Sequence, residues 1–164
     1  MGEAGGTELM DCADAAPRPL ADALSLGAAL SVLRAGGVLL YPTETVVGLG
    51  CDVRARDALA RIAAFKERPA NQAFPLLLPR TLDLPALVHV PAAAARLAAR
   101  FWPGALTLAL EVRADGPFAA ALAAVSAPDG TVGLRQSAHP AAQALADALG
   151  APLVSTSANR RAAP

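Results

Sequence analysis

Apolar residues recur along this chain in short runs, and their period changes at nearly every proline or glycine that interrupts them. From about 20 to 35, Leu20, Leu24, Ala28, Val32 and Leu33 keep a helical spacing, and Gly36 and Gly37 supply a stop. Residues 38–41 (VLLY) predict a short buried strand ended by Pro42, and 42–50 (PTETVVGLG) read as a loop laid against the sheet edge. Asp57 is the expected cap of a helix to about 66, with Leu59, Ile62, Ala63 and Phe65 inward and Pro69 as terminator. Residues 76–78, between Pro75 and Pro79, predict a strand. Pro91 opens an alanine-rich helix that closes near Phe101 and Trp102, and the alternation from Leu106 to Val112 predicts another strand. A further strand covers 131–134. Pro140 then starts a helix that Gly150 stops, and a last strand begins over 152–154 and runs into 155–159 (STSAN). Strands alternating with helices predict a single α/β domain with a largely buried, partly parallel sheet. Residues 1–18 mix glycine, alanine and acids without period and read as a disordered or loosely attached arm, which leaves 19–164 for the domain.

A length of 164 residues suits one domain with a real core. Fourteen basic and fourteen acidic side chains cancel, which argues against a general polyanion binder while allowing a local basic patch. Cys12 and Cys51 are too few for a disulfide framework, and without a CxxC or a Cys/His cluster no protein-bound metal is expected. The longest weakly polar stretches, 85–99 and 117–128, fall short of the ~18 unbroken apolar residues of a spanning helix. Acids occupy the N-terminus, where a signal peptide would be positive. The expectation is a cytoplasmic protein with no membrane segment.

Forty-two alanines leave few polar residues, so the grouping of those that remain carries information. Lys66 is the single lysine, and asparagine occurs only at 71 and 159. Polar side chains collect at Thr43, Glu44 and Thr45; at Lys66, Glu67 and Arg68; at Thr131 and Arg135; and from Ser155 to Asn159. Ligands of open α/β sheets sit beyond strand ends, so these groups are expected to converge. Pro69 biases Arg68 toward extended geometry, in which residues two apart share a face. Lys66 and Arg68 would then meet one anion as a point charge and a planar fork, a pairing suited to polyphosphate. The same period would turn Ser155, Ser157 and Asn159 to one side. Plainer alternatives stay open: a solvated last helical turn for Lys66 and Arg68, and a side-chain-bonded turn for 155–159. No Walker or dinucleotide motif occurs. His89 and His139 read as surface or capping residues, Cys51 as a small core residue, and Glu44 as either a metal ligand or a loop-orienting acid. An anion site without an obvious general base suits chemistry driven by positioning and charge neutralisation, such as nucleotidyl transfer.

Five segments together resemble the YrdC/TsaC family of threonylcarbamoyl-AMP synthases. They are GGVLLYPTETVVGLGCD (36–52), FKERPANQAFPLLL (65–78), FWPGALTLAL (101–110), TVGLRQSAHP (131–140) and GAPLVSTSAN (150–159). The resemblance implies a twisted α/β fold with a mixed sheet, flanking helices and a concave, cationic cavity. It implies that L-threonine, bicarbonate and ATP, with Mg²⁺ accompanying the ATP, become threonylcarbamoyl-adenylate and pyrophosphate for a tRNA modification. Weak binding of tRNA or double-stranded RNA is a further implication, for which Arg54, Arg56, Arg61, Arg160 and Arg161 are the candidate cations. The KxR…SxN signature falls on Lys66, Arg68, Ser157 and Asn159, implied to be catalytic and, with Thr107, ATP-binding. Thr43 and Arg135 are implied to hold L-threonine. Val47 stands where relatives usually have tyrosine, Ala105 where proline is common, residues 136–137 where an x-Pro step is usual, and 161–162 where Ser-Gly follows. The chain stops at Pro164 where relatives continue, so the C-terminal part of the family domain is expected to be missing. Two rival readings are a nucleotide- or RNA-binding module without turnover and a carbamoyl-adenylate-handling domain. Lys66 is expected at the surface, so that its replacement would leave stability unchanged.

Overall fold

A computed structural model describes residues 23–67 and 73–159; the expected arm (1–18), Arg68, Arg160 and Arg161 lie outside the described residues. Helix α1 (Ala23–Arg34) gives way to Gly36, whose φ of 76° makes the left-handed turn that glycine adopts without strain. The elements that follow are β1 (Leu39–Tyr41), β2 (Gly48–Gly50), α2 (Arg56–Phe65), β3 (Leu76–Leu77), α3 (Leu84–Leu87), α4 (Ala92–Phe101) and β4 (Leu108–Glu111). Then come α5 (Ala119–Ala123), β5 (Thr131–Arg135), α6 (Pro140–Leu149), β6 (Leu153–Val154) and β7 (Thr156–Ser157). β2 falls inside the stretch expected to be a loop. Helices α3 and α5 were not expected, being too short to show a helical period. Asp57 lies in the first turn of α2 instead of capping it, since Ala55 occupies the cap, and Phe65 turns toward solvent.

The expected single sheet is two sheets. One has the order β4-β5-β3-β6, with β3 and β5 parallel and its other pairs antiparallel; the other, β1-β2-β7, is antiparallel. Alternation along β3 and β6 gives these strands two covered faces, while Ala109 and Glu111 of β4 stay exposed on one side. Leu76, Leu110, Val132, Leu134 and Val154 join Ile62 of α2 in one core. Leu77 and Leu153 join Leu33 of α1, Leu145 and Leu149 of α6, and Tyr41 in the other. A strand covered on both faces must be apolar throughout, which is why β3 and β6 are plain in the sequence.

The two sheets share backbone. Gly48 pairs with Ser157 and Leu49 with Thr156. The N–H of Ala158 donates to Val47 O, that of Val154 to Cys51 O and that of Val53 to Pro152 O. Residues 47–53 and 152–158 therefore run as one antiparallel ladder in a single register. At its lower end β6 also pairs with β3, and the Ser155 N–H donates to Pro75 O at 2.9 Å. Beyond Ser155 the chain leaves the four-stranded sheet, so the crossing from one sheet to the other occupies one residue. Gly50 permits it: a Cβ there would collide with the Val154 carbonyl and press on the Tyr41 ring.

Overpacking of this kind costs ~1–3 kcal/mol, so Gly50→Ala should lower the urea midpoint by a corresponding amount with little change in slope. Gly27, on the exposed side of α1 with nothing within 4 Å of an added Cβ, is the control. Gly27→Ala should stabilise by ~0.5–1 kcal/mol through helix propensity. Midpoints moving in the same direction for both variants would contradict this packing account.

Candidate functional site

A cavity of about 250 Å³ opens where the two sheets part. The β1–β2 loop contributes Thr43, Thr45 and Val46, the sheet crossing contributes Ser155, Thr156 and Ser157, and the four-stranded sheet contributes Pro75 and Arg135. Thr43, Arg135 and Ser157, from three separate polar groups of the sequence, thus share one cavity. Thr107 stands outside this lining, with its methyl against Gly133 next to Pro75. Thr131 is elsewhere, at the opposite end of β5 from Arg135, where its hydroxyl donates to Asp129.

Thr43 folds the loop. Its Oγ1 donates to Val46 O at 2.6 Å and accepts the N–H groups of Thr45 and Val46 at 3.2 and 3.3 Å. Its hydroxyl proton is therefore spent on loop geometry. Glu44 points the other way and reaches the start of α6. Its Oε2 accepts the Ser137 hydroxyl, and its Oε1 lies 3.1 Å from Arg135 Nη1. That second contact is an ion pair without hydrogen-bond alignment, since Oε1 accepts no hydrogen bond. Burial pushes the Glu44 carboxyl up, but the Ser137 hydroxyl, the backbone N–H groups of Glu44 and His139, and the Arg135 charge outweigh it. The carboxyl is held below the usual range. Arg135 is only 13% exposed, and among the described residues its guanidinium donates no aligned hydrogen bond. A nearly buried fork of unspent N–H groups beside a cavity suits a planar oxyanion.

Helix α2 ends at Lys66, and Glu67 turns the chain through a left-handed φ of 51°. Lys66 is 3% exposed, so neither the solvated helix end nor the expected surface position holds. Its Nζ donates to the carbonyls of Ser157 and Asn159 at 2.9 and 2.5 Å, and Ser157 Oγ and Asn159 Oδ1 each lie at 3.2 Å. Among the described residues, four acceptors thus surround three ammonium protons. Lys66, Ser157 and Asn159 meet across 91 and 93 residues of sequence, and Ser157 both touches the ammonium and lines the cavity.

Two polar residues of this region escaped the sequence reading. Gln143, buried on α6, accepts the Ser137 N–H at 2.9 Å and donates to Leu78 O and Asp147 Oδ1 at 3.0 and 2.9 Å. Ser137, also buried, is fixed by it. The available signal was an amide on the apolar face of a helix, beside Ala142 and Ala146. Among the described residues no group of three or more His, Cys, Asp or Glu could hold a metal ion, and Glu44 lies against Ser137 and Arg135. Burial and the Asp52 charge push the Cys51 thiol up to about 12, which suits a core residue and not a nucleophile. Of the candidate RNA-contacting cations, Arg54 is paired with Asp52 and Arg61 donates to Gly36 O. No described helix is long and apolar enough to cross a membrane.

Lys66→Ala removes a buried ammonium with several charge-assisted hydrogen bonds, so it should cost ~1–3 kcal/mol by urea unfolding, against the surface expectation of near zero. Glu44 and Asp147 both have folded-state carboxyls below their ordinary range. Their contribution to stability is therefore complete above roughly pH 4–4.5 and is lost as pH falls through the lowered folded values. Urea midpoints between pH 3 and pH 6 should show a shallower acid slope in Glu44→Gln than in the unmodified protein. An identical slope would contradict the Glu44 assignment.

Compared with known proteins, residues 31–164 match the Sua5/YciO/YrdC family model, described as "Telomere recombination". The threonylcarbamoyl-AMP synthase of Halorhodospira halophila is 43% identical over 132 residues, 80% of this chain and 66% of that protein. That of Xanthomonas campestris pv. campestris strain B100 is 41% identical over 145 residues, 85% of this chain and 73% of that protein. Among solved structures, P. abyssi Sua5 complexed with L-threonine is similar at a TM-score of 0.71 and 33% identity, over 83% of this chain and 39% of that one. E. coli YciO is similar at 0.69 and 31%, over 80% of this chain and 62% of that one. The chain spans just under two thirds of the Halorhodospira relative and about two fifths of Sua5. A mixed α/β fold, a cavity at the sheet crossing and a family match over most of its length agree: the chain belongs to the Sua5/YciO/YrdC family.

Proposed function

We propose that the chain is a threonylcarbamoyl-AMP synthase, a nucleotidyltransferase acting in the cytoplasm on L-threonine, bicarbonate and ATP. Mg²⁺ enters with the ATP, as part of the nucleotide substrate. The threonine nitrogen and bicarbonate give an N-carboxylate with loss of water; an oxygen of that carboxylate attacks the α-phosphorus and expels pyrophosphate. The observation that carries the reading is Arg135, a nearly buried guanidinium with unspent donors at a cavity rimmed by hydroxyls. Such a fork takes the carboxylate of an amino acid bidentately. A volume of about 250 Å³ lies below the ~300–1,000 Å³ of larger ligand pockets, so it suits the amino acid and not the whole nucleotide.

The nucleotide is assigned past Ser157, toward Asn159. There two carbonyls accept hydrogen bonds from the Lys66 ammonium, and a phosphate oxygen would displace the longer contacts at 3.2 Å. Neutralising charge that develops at the α-phosphorus is the role assigned to Lys66. Arg68 shares that role on the strength of the signature alone. Thr43 shapes the wall that meets the amino acid, and Thr107 is left for the nucleotide end. The product serves the tRNA modification. Any RNA contact is weak, because Arg54 and Arg61 already have partners within the chain.

Pyrophosphate release from ATP should require both L-threonine and bicarbonate. Nucleotide binding without such release would favour the binding-module reading. Arg135→Lys keeps a charge beside Glu44 but loses the planar fork. It should raise KM for threonine ~10-fold or more, the scale of one charge-assisted hydrogen bond, with KM for ATP nearly unchanged.

A further inference from the structure

We propose that Ser137 is a positioning residue for the amino-acid site: its hydroxyl anchors Glu44 at the start of α6, and Glu44 in turn aims the Arg135 guanidinium into the cavity. The inference rests on the reading of Arg135 as the group that receives the substrate carboxylate. An arginine side chain has many rotamers, and without a fixed partner it would pay entropy at each binding event. Among the described residues, the charge beside Arg135 is Glu44, which arrives on a loop from the other sheet. The orientation of Arg135 therefore depends on what holds that loop acid.

What holds it is Ser137, whose N–H and Oγ are both committed. The Ser137 N–H donates to Gln143 Oε1, the His139 N–H donates to Ser137 Oγ at 3.1 Å, and the Ser137 hydroxyl donates to Glu44 Oε2. Because Oγ already accepts from His139, its single proton is directed at the carboxylate. Gln143 is itself locked between Leu78 O and Asp147, which is paired with Arg80. Order therefore passes from α6 through Ser137 and Glu44 to Arg135. The charged and titratable groups around the Glu44 carboxyl are Arg135 on β5, His139 at the start of α6 and the Tyr41 phenol on β1.

The test is Ser137→Ala, alone and combined with Glu44→Gln. In the unmodified protein the Glu44 carboxyl, followed by carbon NMR against pH, should titrate below ~4.3, the ordinary glutamate value, and Ser137→Ala should move it upward. Calorimetric L-threonine binding without ATP should weaken about 10-fold in Ser137→Ala. KM for threonine should rise equally, while kcat stays within about two-fold and KM for ATP holds, a split that general loosening would not produce. In the Glu44→Gln background, Ser137→Ala should have little further effect, because both act through one contact. Additive losses, unchanged threonine affinity in folded Ser137→Ala, or a Glu44 titration at or above the ordinary value in the unmodified protein would each overturn the proposal. If the unmodified protein binds no threonine, the functional reading falls. The Glu44 titrations in the unmodified protein and in Ser137→Ala still decide whether Ser137 anchors that carboxylate.

Discussion

The antiparallel ladder between residues 47–53 and 152–158 is the constraint on which the rest of the molecule depends. It joins two sheets, seats Gly50 against the Val154 carbonyl, and carries Ser157 past the end of α2. The cavity exists because the strand leaves β3 at Ser155 while keeping its register with β2. The wall from Ser155 to Ser157 is therefore fixed by main-chain hydrogen bonds, and the side chains that line it inherit that geometry.

Two cations meet this frame and are treated differently. The ammonium of Lys66 is enclosed by carbonyls and side-chain oxygens, a compact charge met from several directions. The guanidinium of Arg135 has a carboxylate beside it but, among the described residues, no aligned acceptor on its fork. One cation ties the end of α2 to the exit of β7. The other keeps its directional bonds for the cavity.

Much of the architecture is legible in the sequence where local chemistry decides it. Strands β3 and β6 are apolar because both faces are covered, and Pro140 and Gly150 punctuate α6 by their backbone restrictions. β2 was hidden, because a Gly-Leu-Gly strand has almost no side chains to reveal a period of two, and one of its two partners, β7, is distant in sequence. The grouping of Lys66, Ser157 and Asn159 was legible as a signature, whereas the burial of Lys66 was not: a helix-ending lysine reads the same with or without a distant partner. Arg135 and Thr43 line the cavity, and Thr107 stands outside its lining. Ser137 and Gln143 went unread because their roles come from contacts between elements, to which no spacing within one segment points. The family resemblance supplied the reaction; the residues alone reached only an anion site.

The single-residue crossing at Ser155 has a mechanical consequence. Two sheets that merely pack can slide or hinge, and a cavity between them then widens at the expense of side-chain contacts. Here β6 and β7 are consecutive stretches of one strand, so the separation of the sheets at this point is set by the span of one residue. Any accommodation of a differently shaped occupant falls instead to the loop from Thr43 to Val46, which is held by side-chain contacts and not by strand pairing. One jaw of this clamp is welded to the frame, and adaptation to an occupant falls to the other.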